Sequence, residues 1–333
     1  MGLLKPAENT TAFTKWGILG FAGSGKSRTA TEIAIGLSMR SKKAPVAYID
    51  TESGVDYLKP IYDKAGIPLL VAKTRAFKDA CDIFPEAVAL GCSCIVLDSV
   101  THIWLEIIES YIKQYGRKGG LAIKDWGRLK QEWRKLTDAY LNSKIHAILC
   151  GRAKWEYEME VNEETEKKEL VKAGTSMSTE KDMGYEPSIL LEMEREKILD
   201  SKGARIENWC TVLKDRSGVM NGARILYPKF MDFLPMIGAV NLGGDHLAVD
   251  TSRTSDALFP RDDYSERKRL VEIELEELQA VLIKAGLDGQ GEGARGRRVA
   301  MLEQAFGTAS KTKIETMRLD QLKSGRAGLE VAL

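Results

Sequence analysis

The octapeptide GFAGSGKS, residues 20–27, constrains this chain more than any other stretch. A short strand-like run, residues 15–19, precedes it, and residues 26–39 continue from it with the pattern of a helix. Glycines at 20, 23 and 25 let backbone N–H groups turn inward around a small anion. The helix that follows adds about half a positive charge at the same point. Strand, anion-sized loop and helix in that order predict an α/β sheet with a phosphate at the carboxyl end of a strand.

The match to G-x-x-x-x-G-K-[ST] is complete, and its context is the one the motif requires. Gly20, Phe21, Ala22, Gly23, Ser24, Gly25, Lys26, Ser27 and Arg28 are therefore expected around a bound nucleotide. Lys26 would reach the β- and γ-phosphates, and the Ser27 hydroxyl would ligate Mg²⁺. Such a site needs a second acid on a neighbouring buried strand. CIVLDS supplies it, as apolar residues ending in Asp98, with Ser99 a polar neighbour. Hydrolysis also needs a base to orient water. VAYIDTESG puts Asp50 and Glu52 at the end of another strand, so Glu52 either faces the nucleotide or caps or salt-bridges a loop.

Over the first 240 residues strand and helix signals alternate, which predicts a mostly parallel sheet covered by helices. Strands are expected at 15–19, 46–50, 69–72, 94–98 and 145–150, and helices at 26–39 and 77–90. From residue 188 paired strands, 189–195 and 206–214, then 224–227, read as an antiparallel extension. A turn-rich link at 241–262 separates this core from helices at 265–285, 297–306 and 311–322, which could dimerise or bind a partner. A net charge of +1 means that a polyanion must be met by a local basic surface. Cys81, Cys92, Cys94, Cys150 and Cys210 contain no CxxC pair and read as free thiols in a reducing cytosol. With His102, His146 and His246 they make no zinc spacing. No leader or membrane span is expected, and Pro6 breaks the myristoylation pattern.

A P-loop, then YIDTE after the next strand, then a strand ending in Asp-Ser, resembles the order in RecA-type recombinases. That resemblance implies a RecA-like P-loop core, ATP with Mg²⁺, and Glu52 as the water-activating residue. VLKDRSGVMNGARILYP resembles the strand-turn of RecA-fold replicative helicases, in which a Lys-x-Arg pair enters the neighbouring subunit's ATP site. It implies a homo-oligomer, ring or filament, in which Lys214 and Arg216 act in trans. On a strand these two cations would share a face. Residues 15–230 look most like phage RecA-like ATPases of single-strand annealing or recombination, which implies the cytoplasm of a bacterial host. Only fourteen residues precede the first strand, so the N-terminal helical domain of replicative helicases is not expected. The strand after Asp98 departs from the family pattern. It ends in Cys150, Gly151 and Arg152 rather than a Gln or Asn sensor, so Arg152 or Lys154 would substitute.

The resemblance places single-stranded DNA on two loops. The first, within residues 111–136, carries Lys113, Arg117, Lys118, Lys124, Arg128, Lys130, Arg134 and Lys135 among Tyr111, Tyr115, Trp126 and Trp133. Cations answer phosphates and aromatics can stack bases. Trp126, Leu129 and Trp133 are spaced as a helix face, however, which assigns the tryptophans to core or subunit contact. The second reads as a hairpin with its tip at residues 162–165, where Lys167, Lys168 and Lys172 face competition from Glu158, Glu160, Glu163 and Glu164. A mobile loop is the alternative there. The leading expectation is thus a DNA-stimulated ATPase, with a single-strand-binding protein as a further partner. A helicase-like motor, a clock-like or signalling ATPase that binds protein, and a small-molecule kinase are the alternatives.

Overall fold

The computed structural model describes residues 12–115, 120–161, 168–200, 203–242, 244, 263–287 and 293–332. The chain divides into two compact units, Met1–Val249 and Asp250–Leu333.

In the first unit, β1 (Lys15–Gly20) passes through the glycine loop into α1 (Lys26–Arg40). β2 (Val46–Asp50), α2 (Val55–Ala65), β3 (Leu69–Ala72) and α3 (Phe77–Ala89) follow. Then come β4 (Cys94–Asp98), α4 (Val100–Gln114) and α5 (Ile123–Asn142). β5 (His146–Val161) and β6 (Lys168–Met177) make one antiparallel ribbon, and β7 (Ile189–Asp200) and β8 (Gly203–Asp215) make a second. β9 (Arg224–Leu226) and the short α6 (Leu234–Ile237) close the unit. The sheet runs β3-β2-β4-β5-β1-β7-β8-β9, with β6 on β5. From β3 to β7 neighbouring strands are parallel. β6, β8 and β9 are antiparallel to their neighbours. This is the expected architecture, a mostly parallel sheet with an antiparallel extension.

Period-two alternation explains why the central strands read as unbroken apolar runs. Trp16, Ile18, Tyr48, Val96 and Ile148 pack on one face under α1 and α2. Leu19, Ile49, Leu97 and Leu149 pack on the other, against α3, α4 and α5. Each large buried side chain contributes about 1.5–3 kcal/mol. α1 carries Gly36 in mid-helix because a Cβ there would stand 2.0 Å from the Phe230 ring.

The structure matches the expected strands at 46–50, 69–72 and 94–98, extends β5, β7 and β8 beyond theirs, and adds a helix. β5 continues eleven residues past the expected end, Cys150 to Val161, because it becomes the inner strand of the ribbon. The expected hairpin is present, with Val161 opposite Lys168, but its tip and Lys167 lie outside the described residues. The added helix is α2, with Pro60 inside it.

In the second unit, α7 (Asp263–Lys284), α8 (Ala294–Phe306), α9 (Lys311–Glu315) and α10 (Leu319–Ala332) surround Leu278, Leu282, Leu302, Ile314, Leu322 and Leu329. The helix expected at 311–322 is two helices. The chain turns at Thr316–Arg318, where the Arg318 N–H donates to Gln321 Oε1 at 3.1 Å and starts the next helix. Most of the expected link at 241–262 lies outside the described residues.

Beneath the sheet, at the amino end of β5, His146 Nδ1 accepts the Thr14 N–H at 3.0 Å. The ring therefore carries its proton on Nε2. Burial, helped by the Lys15 cation, pushes His146 down to about 4. Burial also pushes Lys15 down to about 7, its ammonium donating to Ser143 and Ile145 oxygens. A base whose folded pKa lies below its unfolded value costs stability as pH falls. For His146 that window runs from 6.5 down to about 4, and for Lys15 from 10.5 down to about 7. His146→Asn keeps an acceptor for Thr14 but cannot titrate. Urea unfolding across pH 4 to 6.5 should therefore lose up to one proton of slope, about 1.4 kcal/mol per pH unit. An unchanged slope would show that His146 does not carry the acid sensitivity.

Candidate nucleotide site

β1 delivers Gly20 to the carboxyl edge of the sheet, and a Cβ at Gly20 would meet the Met193 carbonyl oxygen at 2.4 Å. Gly23 and Gly25 then take φ of +73° and +95°, the left-handed region, which bends the chain back before α1. The first turn of α1 holds no acidic residue, so the positive end of its dipole is left for a ligand. Lys26 Nζ donates to the Phe21 carbonyl at 3.1 Å and lies across the loop. Phe21 packs on Trp155 at 5.0 Å between ring centroids, and Arg28 pairs with Glu32. A cleft of about 730 Å³ opens here, lined by the loop together with Glu52, Leu58 and Arg152. A second cleft of about 390 Å³, with Arg28, Asn208 and Tyr227 in its wall, flanks Gly25.

Pairing registers bring the acids to the same edge. Asp50 stands opposite Asp98, and Asp98 opposite Cys150. The Ser27 hydroxyl donates to Asp98 Oδ2 at 2.5 Å and the Tyr48 hydroxyl to the same oxygen at 2.9 Å. Burial pushes the Asp98 carboxyl above its ordinary range, against the pull of those hydroxyls. A serine hydroxyl converging with a carboxylate offers Mg²⁺ the hard oxygen ligands it takes, the others being phosphate and water. Among the described residues no group of three His, Cys, Asp or Glu could hold a metal alone.

Asp50 and Glu52 have separate work. The Asp50 carboxylate accepts the N–H groups of Glu52, Gly54 and Val55 at 3.0, 3.2 and 3.0 Å, which caps α2. Glu52 turns into the cleft, where Oε1 accepts from Arg152 Nε at 3.2 Å and Nη2 at 3.0 Å. Of the two cations expected to replace the sensor, Arg152 is the one on Glu52; Lys154 lies beside Glu156 at 3.7 Å. His102 and Thr51 are residues the sequence did not disclose. His102 Nδ1 is 2.8 Å from Thr51 Oγ1 and 3.8 Å from Glu52 Oε1, and Thr51 Oγ1 accepts the Ser99 N–H at 2.7 Å. Burial and the nearby Arg152 cation hold His102 below its ordinary value. Ser99 is fully buried, its hydroxyl without a hydrogen bond among the described residues.

Residues 12–217 match the AAA_24 family model, an AAA domain. The chain belongs to this family. The AAA domain thus spans β1 through the end of β8 and contains the whole cleft. Its α/β sheet carries the P-loop at the end of β1 and Asp98 at the end of β4. A solved structure similar to it is a KaiC-like protein from the hyperthermophilic archaeon Pyrococcus horikoshii OT3. The two share 14% sequence identity at a TM-score of 0.40, over 65% of this chain and 89% of that one. No curated protein sequence matches.

Within the AAA domain, Lys214 and Arg216 lie away from the cleft. β1 pairs Trp16 with Ile189, and β7 pairs Ile189 with Asp215, so both cations sit at the edge of the sheet opposite Gly20. A bulge at Leu213 precedes both, and β8 ends at Asp215, leaving Arg216 in the turn with its N–H donating to the Ser188 carbonyl at 3.0 Å. Lys214 Nζ donates to the Tyr185 carbonyl at 2.6 Å. Burial, then the Arg216 cation, push Lys214 below its ordinary value, while Glu186 opposes them. Arg216 is exposed.

The basic segment follows its helical spacing at two of the three expected positions. Leu129 and Trp133 are buried, whereas Trp126 is half exposed against Trp104. Lys113 and Arg128 are exposed, Arg128 over the Tyr115 ring. Lys130 pairs with Glu180 and Asp182, and Lys135 with Glu132. Arg117, Lys118 and the Lys124 side chain lie outside what the structure describes. Cys94, Cys150 and Cys210 are buried free thiols, pushed up by burial; Cys81 and Cys92 are half-buried. No described helix is long and apolar enough to cross a membrane.

Proposed function

We propose that the AAA domain binds ATP with Mg²⁺ and hydrolyses it, as a homo-oligomer that works on single-stranded DNA in recombination or annealing. The observation that carries the reading is the meeting of Lys26, the Ser27–Asp98 pair and Glu52 on one cleft. Lys26 and the loop N–H groups would hold the phosphates. Ser27 and, through water, Asp98 would hold the metal, which supplies charge neutralisation at the β- and γ-oxygens. Glu52 would take a proton from the attacking water. Lys214 and Arg216, at the far edge of the sheet, are supplied for a neighbouring copy. The exposed Lys113 and Arg128, with Tyr115 beside them, support a backbone-and-base contact to a single strand.

The test is phosphate release by the full chain with and without single-stranded DNA, beside a sizing column run with a nonhydrolysable ATP analogue. DNA is expected to raise the rate and nucleotide to raise the assembly size. Lys26→Ala should remove nucleotide binding and turnover together. Turnover indifferent to DNA, with no DNA binding at low salt, would remove the nucleic-acid part. Phosphate transfer to a small acceptor would replace hydrolysis with a kinase reaction.

A further inference from the structure

The β7–β8 ribbon does not stop at the sheet edge. β7 runs past Met193, the partner of Gly20, and the next pair on that face, Arg195 opposite Asn208, lies on the glycine loop. Asn208 Nδ2 donates to the Gly23 carbonyl at 3.1 Å. The Arg195 guanidinium occupies the space a side chain on Gly23 would need, with Nη1 2.8 Å from that Cβ position. Here glycine is required twice, by φ and by the arginine above it.

Electrostatics makes this placement informative. Arg195 is exposed above Gly23, on the loop that leads into the positive end of α1, where a cation is disfavoured unless an anion joins it. The neighbouring carboxylates of the ribbon are engaged elsewhere, Glu194 and Glu196 with Arg224 and Glu207 with Arg205. Among the described residues Arg195 has no ion-pair partner. Within the same loop the Ser24 hydroxyl is buried and has no hydrogen bond among the described residues, a second group awaiting one.

We propose that Arg195 is a second cationic contact to the nucleotide, in cis, closing on the diphosphate common to ATP and ADP. The inference rests on the nucleotide reading and adds a residue to it. The sheet order decides which part of the nucleotide Arg195 meets. Glu52 and Arg152 approach from β2 and β5, on one side of β1, and Arg195 from β7, on the other. The scissile end faces Glu52, so Arg195 meets the portion that remains after cleavage.

The experiment measures Kd of the full chain for Mg·ADP and for a nonhydrolysable Mg·ATP analogue. For Arg195→Gln both constants should rise about tenfold or more, by the same factor, since a charge-assisted contact is lost from both complexes. Arg195→Lys should recover part of the loss. The unliganded melting temperature serves as the folding check. Constants within twofold of wild type for both ligands would overturn the proposal. So would a loss confined to the ATP analogue, which would put Arg195 on the γ-phosphate. Lys26→Ala separates this failure from a deeper one. If wild type binds ADP and Lys26→Ala does not, the nucleotide reading stands whatever Arg195 does.

Discussion

Glutamine at position 52 should leave nucleotide binding intact and lower turnover by about 10²–10⁴-fold, the range for loss of a general base. The substitution keeps the shape of the side chain and its acceptor oxygen, so Arg152 can still hydrogen-bond to it. Only the ability to take a proton is removed. The Glu52–Arg152 pair is half exposed on both sides, and such a pair is worth at most about 1 kcal/mol. A γ-phosphate entering the cleft brings more charge than Glu52 carries, and it can draw Arg152 to itself and release the carboxylate toward water. In this picture the Glu52–Arg152 contact gives way as nucleotide binds. Phosphate release at saturating ATP, measured beside the Kd of a nonhydrolysable analogue, checks it. A Glu52→Gln enzyme with more than a tenth of wild-type turnover would leave the carboxylate as nothing but a partner for Arg152.

How much of this could be read from the residues follows from how local each signal is. The loop from Gly20 to Ser27 is contiguous, so its spacing alone disclosed it, and Asp98 was disclosed by the apolar run before it. Arg152 could be named but not placed, because its position depends on the register that sets Gly20 beside it across β1 and β5. His102 gave no signal, since its partner Thr51 is 51 residues away and joins it only through the β2–β4 pairing. Arg195 and Asn208 were invisible for the same reason; within their strands they are ordinary polar residues. The spacing of Lys214 and Arg216 placed them on one strand, but it did not disclose the end of β8 at Asp215, which puts Arg216 in the turn. Asp50, adjacent in pattern to Glu52, proved to be a helix cap, because a carboxylate two to five residues ahead of free N–H groups satisfies them before it can serve chemistry.

Arg216→Ala should bind ATP as wild type does and lose about 10³–10⁵-fold in turnover, the contribution of an arginine acting on the transferred phosphoryl group. Arg216 rather than Lys214 is the better candidate for that contact. Lys214 already donates to the Tyr185 carbonyl, whereas Arg216 is exposed in a turn and presents a planar, multidentate guanidinium. Its position decides how the loss must behave. Trp16, level with Asp215 just before Arg216, precedes Gly20 by four strand residues, about 13 Å at about 3.3 Å per residue. No side chain at that edge serves its own P-loop, but in a head-to-tail assembly the edge of one copy can meet the cleft of the next. Mixing therefore discriminates. Lys26→Ala chains lack a working cleft yet keep Arg216, and Arg216→Ala chains have the opposite defect. Each alone should be inactive. After subunit exchange at equal amounts, about a quarter of the interfaces would join an intact cleft to an intact arginine, and about that share of activity should return. If the mixture stays silent while the two variants demonstrably co-assemble, Arg216 does not act across an interface. If Arg216→Ala alone turns over normally, it does not act on the phosphate at all, and the cations beyond β8 belong to some other contact.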